Sequence, residues 1–291
     1  MAASPLDKRL KLVKRLKRIA ARNPALGLRL AAVLAALPRW SSHWAPSAGE
    51  VVALFGALPP GRVGAIRRRV ASLALRNQVL VGLSNKRGLQ ASLPLIRIRG
   101  EEEILALRRE GVPVVAIYAH MGAAAISAGL AKLGLAASFA AVAKRQRHEG
   151  EGVDFYEVTS VTSGAGFLRQ ALRDLQAGRV VGVSVDTHRD EAGRKVRFLG
   201  GQLTAAAGPA LLARLAGARL VPVTARWLGA SPRIEVTVHP PLPVPPEADF
   251  EAVLTASAVR FFEEYLRAHP EEVRKWYLKS LQAGPAAPRC G

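Results

Sequence analysis

Residues 112–119, VPVVAIYA, form an unbroken apolar run, and no other stretch restricts the fold more. A strand with one wet face alternates apolar and polar residues, whereas a strand covered on both faces is apolar throughout. A run this short, rich in β-branched residues, reads as a buried parallel strand. Its Pro113 falls at the strand start, where a missing N–H is tolerated. Parallel strands need long crossovers, usually helical, and the sequence supplies them. Further strands are predicted over 95–99, 138–143, 179–185, 220–227 and 233–239. Helices are predicted over 101–109, from about Ala123, and over 164–176, 204–215 and 250–268; residues 47–90 read as helices broken at Pro59-Pro60-Gly61. The expected fold class is α/β: a twisted, mainly parallel sheet flanked by helices, with a helical N-terminal part. The chain divides into basic amphipathic helices over 1–46, an α/β domain over 47–282 and a disordered tail over 283–291.

Charge is the compositional outlier. Lys plus Arg number 42 against 22 Asp plus Glu, a net charge of +20. Such a chain seeks an anionic partner: nucleic acid, anionic lipid or an acidic protein. Aromatics for base stacking are scarce, at 5%, and the sequence has no RNP-like strand, zinc finger or helix-turn-helix, so nucleic acid is not expected. The only cysteine is Cys290, which excludes a disulfide framework within one chain and suits a reducing compartment.

Residues 5–22, PLDKRLKLVKRLKRIAAR, place Leu6, Leu10 and Val13 in one stripe with Leu12, Leu16 and Ile19 beside it, and basic residues fill most of the rest. This is the pattern of a helix lying on an anionic membrane surface; the plainer alternative is a solvated helix packed on the domain. The apolar stretch between Pro24 and Pro38 is too short to span a bilayer, which needs about 20 apolar residues. Trp40, His43 and Trp44 follow it, where tryptophan fits either a membrane interface or core packing. The expected location is peripheral, on the cytoplasmic face of the cell membrane, with no secretory signal.

His120 follows the strand over 112–119 and precedes a helix. Ligands of open parallel sheets bind outside the carboxyl ends of the strands, and a histidine there can take a proton from an attacking hydroxyl or amine. Position alone serves a helix-capping histidine equally well. Lys144, Arg145 and Arg147 form a basic cluster after another strand, able to grip phosphate or simply solvated. Asp186 and His188 at a strand end are two ligands without a third, so no metal site is expected. His148, His239 and His269 have no partner pattern.

Four segments carry a resemblance: EGVPVVAIYAHMGAAAISAGLAKLG over 110–134, AAVAKRQR over 140–147, SGAGFLRQALRDLQAGRVVGVSVDTH over 163–188, and VRFLGGQLTAAAGPALLARLAGARLVPVTARW over 196–227. In this order they resemble the lysophospholipid acyltransferase superfamily, in its lipid A lauroyl/myristoyl acyltransferase-like branch. The resemblance implies transfer of an acyl group from an acyl carrier protein or coenzyme A thioester to a hydroxyl or amine of a lipid or specialised metabolite. It implies no metal or redox cofactor. His120 becomes the general base, and backbone N–H groups near residues 121–123 the donors to the oxyanion. Phe198, Gly200, Thr204 and Gly208 match the family's substrate-pocket segment.

One departure stands out. The family places a carboxylate five positions after the histidine to orient it, and this chain has Ala125 there. Three explanations compete. Asp186 replaces the missing carboxylate, or the acceptor is an amine that demands less of its base, or the fold is kept without catalysis to bind lipid or a partner protein.

Overall fold

The computed structural model describes residues 5–37, 45–119, 123–141, 153–157, 161–186, 193–229 and 231–273. The segment 112–119 delivers strand β2 (Val114–Tyr118), buried along its whole length. Val114, Ala116 and Tyr118 enter one apolar cluster, and Val115, Ile117 and Ala119 enter a second. Period-two alternation thus sends an apolar run to both faces of one sheet.

That sheet has seven strands. In chain order they are β1 (Ile96–Arg99), β2, β3 (Ala137–Ala141), β4 (Val153–Glu157), β5 (Val180–Ser184), β8 (Arg219–Trp227) and β9 (Ile234–Val238). Their spatial order is β1-β9-β8-β2-β5-β3-β4. All neighbours are parallel except β8 and β9, which form an antiparallel pair. A separate hairpin, β6 (Arg194–Phe198) with β7 (Gly201–Ala205), is antiparallel.

The crossovers are α5 (Glu101–Arg109), α6 (Ala123–Lys132), α7 (Val161–Gln176) and α8 (Gly208–Ala216), and α9 (Phe250–Ala268) closes the second face. Glu101, Glu102 and Glu103 fill the first turn of α5 and Arg108 and Arg109 its last, each sign at the end where the helix dipole favours it. Upstream lie α1 (Pro5–Arg22), α2 (Pro24–Ala36), α3 (Ala48–Phe55) and α4 (Pro60–Arg87). The α3 helix starts on a capping box, with Ser47 and Glu50 exchanging side-chain and backbone bonds. Asn23 caps α2 by accepting from the Leu26 N–H at 3.0 Å.

The sequence expectations hold for the fold class and for most elements. Two were missed and one misplaced. Strand β4 has no counterpart among the predicted elements. The β6–β7 hairpin was read as a pocket segment running into a helix over 204–215. Thr204 instead lies in β7, and the helix starts at Gly208. A two-residue connection, Leu199-Gly200, separates the strands, a hairpin signal the sequence does carry.

The α1 helix packs by its apolar stripe. Val13, Leu16 and Ala20 are buried in the first cluster together with Leu28, Ala31 and Ala35 of α2 and Leu73–Leu83 of α4. Lys11, Lys14, Arg15, Arg18 and Arg22 remain exposed. Among the described residues, no helix is long and apolar enough to cross a membrane.

Candidate active site

Four of the parallel strands are entered through a glycine with positive φ: Gly111 before β2 (71°), Gly134 before β3 (70°), Gly178 before β5 (73°) and Gly217 before β8 (61°). These tight turns define the amino end of the sheet. The carboxyl end, where β2 and β5 finish, is the place for a ligand in an open parallel sheet.

Strand β2 ends at Tyr118, which pairs in register with Ser184 of β5. The register continues one residue further, since the Val185 N–H donates to the Tyr118 carbonyl at 2.9 Å. Asp186 follows, wholly buried. It bridges to Ala205, and the Ala206 N–H donates to the Val185 carbonyl at 3.0 Å. The base of the β6–β7 hairpin is therefore fastened to the end of β5. Thr204 and Gly208 flank the fastened residues. Thr204 is half-buried and pairs with Lys195, and the space beside the Gly208 Cα is open.

Phe198 and Gly200 occupy the other end of that hairpin. Phe198 is buried in the second cluster. Leu199 takes a left-handed conformation at φ 50°, and its N–H donates to Glu263 Oε1 of α9 at 3.1 Å. Arg267 holds the same carboxylate at 2.6 Å. A Cβ at Gly200 would lie 2.1 Å from the Ala53 carbonyl oxygen of α3, so only glycine fits. The turn is thus clasped between α3 and α9.

His120, Lys144, Arg145, Arg147 and His188 lie outside the described residues, as do His43, Trp40, Trp44 and His148. Ala125 is buried in the first cluster on α6. This chain therefore puts a methyl group in the core where the family resemblance places a carboxylate. Among the described residues, no group of three or more His, Cys, Asp or Glu could hold a metal ion.

The carboxyl end of β8 is held by a clamp that sequence reading missed. The α4 helix packs its first half, Val63, Ile66 and Val70, into the second cluster, and its second half into the first. Between them, Arg69 donates to the Trp227 and Gly229 carbonyls at 2.7 and 2.8 Å. Arg76, fully buried, donates to the carbonyls of Gly229 (2.8 Å) and Ser231. Its guanidinium stacks over the Trp227 ring at 4.0 Å, and the Trp227 indole donates to Asn77 Oδ1 at 3.0 Å. Burial, reinforced by Arg69, pushes the Arg76 pKa down to about 9, with Glu272 pulling the other way. It still carries its charge at neutral pH. The RRRVASLALRN spacing that places Arg69 and Arg76 seven residues apart on one helix face was the available signal.

Beside β8, Thr224 Oγ1 and His239 Nε2 are 2.9 Å apart. His239 sits edge-on to Phe261 at 4.9 Å between ring centres, and burial lowers its pKa from the ordinary 6.5. Burial raises that of Tyr265, with Glu272 adding to it. This is structural histidine packing, in line with the sequence reading of His239.

The sequence matches the bacterial lipid A biosynthesis acyltransferase family over residues 69–279, more than two thirds of the chain. That range runs from the α4 clamp past α9 and takes in the whole sheet. No curated protein matches the chain. The match spans well over half of the chain, and the chain therefore belongs to the bacterial lipid A biosynthesis acyltransferase family.

Proposed function

We propose that the protein transfers a fatty acyl group from an acyl carrier protein or coenzyme A thioester to a hydroxyl or amine on an amphiphilic acceptor at an anionic membrane surface. His120 is the general base and Asp186 its orienting carboxylate. The observation that carries this is register. Asp186 lies two residues beyond Ser184, the partner of Tyr118, and His120 lies two residues beyond Tyr118 in sequence. A buried carboxylate so located can do what the absent one at position 125 does elsewhere in the family.

In the reaction, the acceptor oxygen or nitrogen attacks the thioester carbonyl carbon as its proton passes to the imidazole. The tetrahedral oxyanion is stabilised by backbone N–H groups near residues 121–123. It collapses with cleavage of the C–S bond, and the thiolate leaves with the proton returned by the imidazolium. Asp186 stabilises that imidazolium and fixes its tautomer. Thr204 and Gly208, next to Asp186, border the donor, and Lys144, Arg145 and Arg147 grip phosphate. The family match favours this reading over a fold kept only for binding.

Membrane contact goes through α2 rather than α1. Val13, Leu16 and Ala20 of α1 are spent on the core, whereas Leu26, Val33 and Leu37 are 47%, 62% and 46% exposed. Their spacing of seven and four residues puts them on one helical face, beside the exposed cations of α1. This supports peripheral attachment to the cytoplasmic leaflet.

The test is acyl transfer in anionic vesicles, with a panel of acyl thioesters against hydroxyl and amine acceptors, products identified by mass spectrometry. Wild type should acylate at least one acceptor class and His120→Ala none; equal turnover by the two rejects His120 as the base. Leu26→Asp with Val33→Asp should lower vesicle partitioning on the order of a hundredfold, from the apolar area lost, without loss of stability. Unchanged partitioning rejects the α2 face.

A further inference from the structure

A cavity of about 520 Å³ opens between the end of α8, the start of β8, the proline-rich segment 240–246 and the start of α9. Its volume is that of a small-molecule site. It does not belong to the transfer site. Arg219, on its wall, pairs in register with Val114, the first residue of β2. The strand then runs on to Tyr118, so the cavity and Asp186 lie at opposite ends of the sheet, roughly 13 Å or more apart at about 3.3 Å per residue.

The walls are apolar: Leu220, Leu242, Phe250 and Leu254, with Val244 at the mouth. Val244 is 57% exposed, and Leu215 and Val253 on the adjoining helices are 53% and 43% exposed. Of these Val244 lines the opening itself, and a bound apolar body would recover the hydrophobic energy its exposure costs. The polar contribution is also lopsided. Arg214 is neutralised by Glu251 at 2.8 Å. Arg219 has no ion pair among the described residues. Its Nη2 makes one long bond, to the Leu242 carbonyl at 3.3 Å, and its buried Nε has no hydrogen-bond partner. Glu247 stands exposed at the rim and opposes heads of high negative charge.

We propose that this cavity is a second binding site, separate from acyl transfer, for a singly charged anionic amphiphile. Its carboxylate or monoanionic phosphate head meets Arg219, and its hydrocarbon body lies along Leu220, Leu242, Phe250 and Leu254. One uncompensated cation matches one negative charge, and the depth of apolar wall matches a chain rather than a polar metabolite.

The test is calorimetric titration of the full chain with decanoate, decyl phosphate and 1-decanol below their aggregation limits. Decanoate or decyl phosphate should bind saturably at one per chain, and decanol at least tenfold more weakly. Whichever anion binds tighter identifies the head and supports the site. Arg219→Gln should weaken anion binding tenfold or more, a change of about 1.4 kcal/mol. Val244→Glu, at an exposed position that does not affect folding, should do the same by placing a negative charge at the mouth. Three results overturn the proposal: no saturable anion binding, decanol binding as tightly as the anions, or binding unchanged in both variants.

Discussion

The two ends of the central sheet are built on different principles. At the amino end, glycines in a left-handed conformation turn helices α5, α6, α7 and α8 directly into strands β2, β3, β5 and β8. Each turn is local and uses a backbone conformation that costs other residues about 1–2 kcal/mol. At the carboxyl end the connections depend on side chains from distant segments. Asp186 sits against the β6–β7 hairpin, and Arg69 and Arg76 reach from α4 to the tip of β8–β9. The amino end is a repeated structural device. The carboxyl end is assembled once, by long-range contacts, and that is where groups of unlike chemistry can converge on a reacting atom.

The contrast makes measurable demands. The largest effect should come from Asp186→Asn, which keeps shape and removes charge. Turnover should fall by a factor on the order of 10⁴, as for loss of an orienting aspartate elsewhere, with the pH profile altered and melting temperature nearly unchanged. A loss of stability without a loss of turnover per folded molecule would show Asp186 to be merely structural. Next is Arg76→Met, expected to cost about 3–5 kcal/mol in denaturant unfolding, because the Gly229 and Ser231 carbonyls lose a charged donor and the Trp227 ring its stacked cation. An effect below about 1 kcal/mol would mean that the hairpin tip is held by packing alone.

At the other end, Gly111→Ala should cost about 1–2 kcal/mol and leave turnover unchanged. Reduced turnover in the folded variant would blur the division between the two ends. The smallest effect is protonation of His239. Burial lowers its pKa in the fold, so the unfolded chain takes up that proton first as pH falls below 6.5. Its contribution to stability is constant above that value and declines as pH drops through the window beneath it. Melting temperatures from pH 5 to 7.5 should show this decline in wild type and a shallower one in His239→Gln.

Much of the fold was legible. VPVVAIYA fixed a buried strand because an apolar run of that length has only one economical place in a sheet. The acidic start and basic end of α5 marked its bounds. The β6–β7 hairpin is absent from the predicted elements, although Leu199-Gly200 between RKVRF and GQLTA is a turn signal, because the family resemblance suggests a pocket there. Strand β4, VDFYE, has strand-favouring Val153, Phe155 and Tyr156 but is short and follows the polar run RQRHEGEG, so its pairing with β3 is evident only in the fold. Of the proposed site, His120 and Asp186 are legible in the sequence as residues following apolar strands. Nothing local relates them, because the strands that carry them become neighbours only when β5 docks beside β2.

The sequence by itself determined the α/β class, the main strands and crossover helices, the net charge of +20 and the absence of a carboxylate at position 125. These follow from periodicity, composition and identity, which need no partner. Tertiary structure alone decided which apolar faces are covered. The amphipathic α1 spends its stripe on the core, while α2, nearly apolar all round, keeps Leu26, Val33 and Leu37 in the open. It also decided that Arg76 is buried and bonded to carbonyls while Arg219 lines a cavity with no ion pair among the described residues. Periodicity tells that a surface is apolar and composition that a charge exists; only the distant segment that covers them, or fails to, sets their burial and hence their energy.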